Sequence, residues 1–136
     1  KHALDKRIVL LSSMGTTTAP DRVNALELNL FYKLNAETFL LSSPIPSVIV
    51  KACALDDSAV STTTLVTGQF DTLFETAFNA RKETVIVRKD VAAVIAQLLI
   101  GKHKDLRFDL CSVPGPPVED LPALINAAPH GWEDIE

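Results

Sequence analysis

The residue types that most often carry chemistry are present in this chain, but they do not converge. His2, His103 and His130 lie far apart, near the termini or a helix end. A zinc site needs several ligands at set spacings, and no His, Cys or Glu group here supplies them. Cys53 stands between Ala52 and Ala54 in an apolar run, where a cysteine behaves as a small buried hydrophobe rather than a nucleophile. Asp56 and Asp57 are adjacent carboxylates at the end of that run, a position that suits a turn better than acid–base work. Thr62-Thr63-Thr64 followed by Thr67-Gly68 offers hydroxyls to a phosphate, yet it lacks the spacing and the lysine of a phosphate loop. Arg81-Lys82, Arg88-Lys89 and Lys102-His103-Lys104 are basic pairs and a basic run in an otherwise acidic chain. They fit solvated helix ends, or a docking patch for an acidic partner surface.

The elements that would position these groups read as alternating strands and helices. Arg7 to Met14 is a short apolar strand closed by Gly15, three threonines and Pro20. From Leu26 to Leu34 apolar residues recur at every second position, which predicts a half-buried strand. Asn35-Ala36-Glu37 then turns the chain into Thr38–Leu41 as a hairpin. Ser47 to Leu55 and Val60 to Val66 are β-rich. Phe70, Leu73, Phe74, Ala77, Phe78 and Arg81 fall at helical spacing, so the phenylalanine stripe reads as core. Thr84 to Arg88 reads as a strand, and Val91, Val94, Ile95, Leu98 and Leu99 as a helix capped by Asp90 and stopped by Gly101. Phe108 and Leu110 add one further strand before a proline-rich acidic tail.

At 136 residues the chain has the size of one domain, with 47% apolar and 22% charged residues. A net charge of -4 argues against a general affinity for nucleic acid, which rests on clustered Lys and Arg. Two cysteines are too few for a disulfide framework, so a reducing compartment fits. No apolar run approaches the roughly 18 residues of a membrane span. The expected location is cytoplasmic, with the nucleus as a further site. The chain begins at Lys1, so a trimmed N-terminus or a removed targeting peptide stays open. The predicted fold class is α+β: an antiparallel sheet of about six strands with two helices on one face, residues 1–112, followed by the tail, residues 113–136.

Three segments carry a resemblance: Leu26–Leu34 with Thr38–Leu41, Val60–Leu65, and Ala80–Val87. Together with the order of elements they resemble the small proteasome assembly chaperones, especially the fourth, over about Arg7 to Asp105. That resemblance implies a heterodimer with the third chaperone, contact with proteasome α subunits during α-ring assembly, no cofactor and no catalytic residue. The expectation is therefore a non-enzymatic protein, with Arg81, Lys82, Arg88 and Lys89 as its partner-binding residues. A structural subunit of a ribosomal, flagellar or viral particle is the alternative. A small enzyme with a pocket beneath the helices is the third.

Overall fold

The computed structural model describes residues 6–17, 25–58, 62–74 and 85–128. In chain order the elements are β1 (Ile8–Ser13), α1 (Ala25–Leu41), β2 (Ser47–Ala52), β3 (Ala54–Leu55), β4 (Thr63–Gly68), β5 (Val85–Ile86), α2 (Arg88–Ile100), β6 (Leu106–Pro114) and α3 (Leu121–Asn126). The main sheet has the order β1-β2-β6-β4. β1, β2 and β6 run parallel and β4 is antiparallel to β6, while β3 and β5 form a separate parallel pair.

Parallel neighbours need a crossover, and α1 supplies the one between β1 and β2. Its composition explains why it is a helix. Leu dominates, with two Ala and two Glu, no Val or Ile occurs, and Asn35-Ala36-Glu37 lacks the glycine that a tight hairpin wants. Pro44 and Pro46 follow its end and start the extended run of β2.

The sheet has two unlike faces. Val48 and Val50 of β2 align with Leu106 and Phe108 of β6, and Leu65 of β4 lies on the same side. Val91, Val94 and Leu98 of α2 and Ile125 of α3 complete this apolar core. Each large side chain buried there stabilises the fold by about 1.5–3 kcal/mol. The other face carries a registered row of Ser12, Lys51 and Asp109, with α1 packed over it.

The six-stranded antiparallel sheet with both helices on one face is thus overturned. The sheet is mixed and four-stranded, and Leu26–Leu41, expected as a hairpin of that sheet, is instead the helix α1 on the face opposite α2. The two-residue alternation in Leu26–Leu34 misled because leucine at every second position also places apolar groups all around a helix. Phe108 and Leu110 do lie in the last strand before the tail, β6, which stands inside the sheet between β2 and β4. Its neighbours on both sides explain the burial of Leu106–Ser112. Asp90 is not the cap of α2, which starts after Val87, although Gly101 does end it, donating its N–H to Gln97 O at 2.9 Å. Of the phenylalanine stripe, Leu73 is buried, while Phe70 and Phe74 are exposed. Ala77, Phe78 and Arg81 lie outside the described residues.

Candidate functional site

In open sheets with parallel strands, ligands bind in the crevice outside the carboxyl ends of those strands. Such a crevice, about 230 Å³, opens at the ends of β1 and β2 between Ser12, Ser13, Lys33, Cys53, Ala54 and Leu55. A larger cavity, about 290 Å³, lies at the opposite end of the strands beside Arg7, Pro46 and His103. There Arg7 is engaged with backbone carbonyls, donating to Leu99 O at 2.8 Å and His103 O at 3.3 Å. Fold position favours the smaller crevice.

Two buried ion clusters beneath α1 hold this end of the sheet. Glu37 reaches from α1 to accept the Ser12 hydroxyl and that of Thr16 (3.1 Å), while Arg107 donates to its other oxygen at 2.8 and 2.9 Å. Ser12 is 5% exposed and Glu37 1%, so this pair anchors the exit of β1 rather than presenting a nucleophile. Next to it the Lys51 ammonium, fully buried, bonds Asp71 at 2.9 Å and Thr17 Oγ1 at 2.8 Å and lies 3.3 Å from Asp109.

Asp71 ties three segments together. Its carboxylate accepts from the N–H groups of Gly15 (2.8 Å) and Thr17 (3.0 Å), and its own N–H donates to Asp109 at 2.6 Å. Phe70 and Asp71 both have positive φ, 56° and 63°, a conformation that costs of order 1–3 kcal/mol per residue and persists only where surroundings impose it. Burial is the largest single influence on the Asp71 carboxyl and pushes it up. Lys51 and the two N–H donors together outweigh burial and hold it below the usual range. Asp109 goes the other way: burial dominates and raises it, with Asp71 adding to the rise against the pull of Lys51.

The crevice above these clusters has apolar walls at Ala54 and Leu55, the Ser13 hydroxyl, and the exposed Lys33 on α1. An ammonium and a hydroxyl at the mouth of an apolar slot suit an organic molecule carrying one polar atom. The ammonium would stabilise negative charge developing on it, whereas the Ser13 hydroxyl donates its proton to Met14 O at 3.0 Å.

Of the residues expected to bind a partner, Arg81 and Lys82 lie outside the described residues. Arg88 donates through its backbone and guanidinium to Asp57 at 2.9 and 2.7 Å, and Lys89 is exposed on the first turn of α2. None of the described pair lines the crevice. Asp56 and Asp57 do form a turn, Asp56 accepting from Ser58 N–H and hydroxyl. Both carboxyls sit below their usual range, Asp56 through those Ser58 bonds and Asp57 through the N–H and then the guanidinium of Arg88. Cys53 is not a free thiol: it is bonded to Cys111, joining the end of β2 to β6. That cystine corrects the expectation of two reduced cysteines. The site groups Lys51, Arg107 and Asp109 were passed over in the sequence, where each is a charge inside an apolar strand.

No family model matches the chain. It is 37% identical over 132 residues to the Arabidopsis thaliana protein named "Uncharacterized protein At2g37660, chloroplastic", covering 93% of this chain and 39% of that one. It is 33% identical over 127 residues to sanguinarine reductase of Eschscholzia californica, covering 89% of this chain and 45% of the reductase. The chain spans less than half the length of the curated relatives it matches. Among solved structures, the oxidoreductase ylbE from Lactococcus lactis shares the fold, with a TM-score of 0.61, 19% identity, and coverage of 93% of this chain and 55% of that one.

These likenesses overturn the resemblance to proteasome assembly chaperones, which rested on segments now seen as a helix, parts of β4 and β5, and residues outside the described set. The non-enzymatic reading, the third-chaperone and proteasome partners, and the structural-subunit alternative fall with it. The fold is that of the part of the ylbE chain that this chain covers. Among the described residues no helix is long and apolar enough to cross a membrane.

Proposed function

We propose that this chain forms the substrate side of an oxidoreductase that reduces a small, largely apolar organic molecule bearing one polar unsaturated group. The observation that carries this reading is the crevice at the carboxyl ends of β1 and β2, in a fold shared with an oxidoreductase and a sequence similar to a reductase. Sanguinarine, the molecule in that relative's name, is the first substrate to test. Lys33 is the residue assigned to stabilise charge on the polar atom as it is reduced, and Ser13, whose hydroxyl donates to Met14 O, lines the slot beside it. Glu37, Arg107, Lys51, Asp71 and Asp109 are positioning residues that fix the loops around the crevice.

A reductase needs an electron donor, and sheets of this type bind a dinucleotide's phosphates on a glycine-rich turn, G-x-G-x-x-G, after a strand. The five glycines stand at positions 15, 68, 101, 115 and 131, so no such turn exists in this sequence. These residues do not fit the phosphates of a dinucleotide. The Cys53–Cys111 cystine removes the cysteine argument for cytoplasmic residence, and the Arabidopsis relative is chloroplastic by name.

The test is a chimera in which this chain replaces the matching part of the Eschscholzia reductase, assayed for sanguinarine reduction. Turnover is expected. Lys33→Met should lower kcat/KM about a hundredfold, mainly through kcat, as does loss of one charge-stabilising donor elsewhere. A folded chimera without turnover, or one indifferent to Lys33→Met, contradicts the assignment.

A further inference from the structure

The recess at the amino ends of the parallel strands is lined by Arg7, Pro46, Lys102, His103 and Lys104. Four of these five residues are basic types, and none is acidic. The chain as a whole runs the other way, with 17 Asp and Glu against 13 Lys and Arg. Positive charge is therefore gathered here against the chain's own balance, and like charges sharing one concave surface repel until an anion joins them.

The loop that carries three of these residues is shaped by its backbone. Gly101 N–H donates to Gln97 O at 2.9 Å, Asp105 N–H to Ser47 O at 2.7 Å, and His103 O accepts from Arg7 at 3.3 Å. Asp105 turns the chain into β6 with a φ of 57°. A Cβ at Gly101 would stand 2.8 Å from Cδ2 of His103, so the glycine leaves room for that imidazole. None of these contacts uses a lysine head.

Solvated charges completing the carboxyl end of α2 would be the plainer account of Lys102 and Lys104. Arg7 already fills that role, donating to Leu99 O in the last turn at 2.8 Å. Among the described residues Lys51, Arg88 and Arg107 each face a carboxylate, whereas Arg7, Lys102 and Lys104 face none. Two bonds to carbonyls also leave Arg7 with three of its five N–H donors.

We propose that this recess binds the phosphate group of a small soluble molecule. A guanidinium fork held in place by two carbonyls meets two oxygens of one anion, and two ammonium groups supply point charges beside it. A dianion matches that set, and a single carboxylate would leave most of its charge unmet. The recess, about 290 Å³, stands at the lower end of the roughly 300–1,000 Å³ of small-ligand sites, which suits a phosphate with a short organic part rather than a protein segment. It shares no lining residue with the crevice at the opposite ends of the strands, so the assignment is independent of the reductase reading.

The isotope-labelled 136-residue chain would be titrated with inorganic phosphate and with glycerol 3-phosphate, at fixed ionic strength against chloride. Saturable amide shifts centred on Arg7, Lys102, His103 and Lys104 are expected, with a Kd of about 1 mM or tighter, while Ser13, Ala54 and Leu55 stay unmoved. Lys102→Gln with Lys104→Gln should weaken binding at least about tenfold. Both side chains are exposed, so the doubly substituted chain should melt unchanged. Vesicles of phosphatidic acid in phosphatidylcholine should not sediment the chain, because a recess admits a small phosphate where a flat basic patch would take a lipid surface. Absence of shifts, an equal response to chloride, binding that survives the double substitution, or sedimentation with the vesicles overturns the proposal.

Discussion

Lys51→Met lowers stability by about 3–5 kcal/mol at neutral pH, because it leaves the buried Asp71 and Asp109 carboxyls without their cation. Methionine fits the volume, so the loss reports charge and not a cavity. The pH dependence gives the sign. Asp71, held low by Lys51 and two N–H donors despite its burial, contributes stability that is present above its unfolded value of about 3.9 and lost as pH falls through the lower folded value. Asp109, raised by burial, does the reverse: its contribution is present below the unfolded value and fades as pH rises through the folded one. Without Lys51 both carboxyls move upward, so the variant is penalised most at pH 7 and approaches the wild type near pH 4 and below. Urea unfolding of both proteins across this range checks it. A constant difference at every pH would mean that Lys51 acts by packing alone.

Reducing the Cys53–Cys111 cystine is the second large effect. The bond closes a loop of 58 residues in sequence, and the loop-closure entropy it removes from the unfolded chain corresponds to about 4 kcal/mol. Dithiothreitol should therefore lower the unfolding midpoint strongly. The double variant Cys53→Ala with Cys111→Ala should be as unstable as the reduced protein and indifferent to reductant. A midpoint that stays put while alkylation shows two free thiols contradicts the loop argument. Because Cys53 also lines the crevice, reduction should loosen the junction of β2 with β3 before the amino ends of the strands.

Much of the strand content was legible from composition: β1, β2 and β4 lie where Val, Ile and Thr cluster, and α2 lies where apolar residues repeat at helical spacing. α1 was not legible by period, since its leucines satisfy a strand face and a helix surface alike. The deciding evidence was the absence of Val and Ile, with Thr38 as the one β-branched residue. With α1 taken as a hairpin, the β1–α1–β2 crossover vanished and the sheet had to be drawn antiparallel. The chemistry was hidden for a related reason. Lys51 in SVIVKA, and Arg107 and Asp109 in LRFDL, are charges set at alternate positions of apolar strands, which makes one face of the sheet polar. Glu37 is 70 residues from Arg107 and Asp71 is 38 from Asp109, and only the fold brings them together. The crevice is set by topology rather than by any motif, so no spacing in the sequence announces it.

The central claim is that the working surface of this chain is the crevice at the carboxyl ends of β1 and β2. Amide chemical shifts of the isotope-labelled chimera, recorded while sanguinarine is added, test it most directly. The account predicts perturbations centred on Ser12, Ser13, Lys33 and Cys53–Leu55, with Arg7, Lys102 and His103 at the opposite cavity unmoved. Perturbations centred on that opposite cavity, or none at saturating ligand, would contradict it.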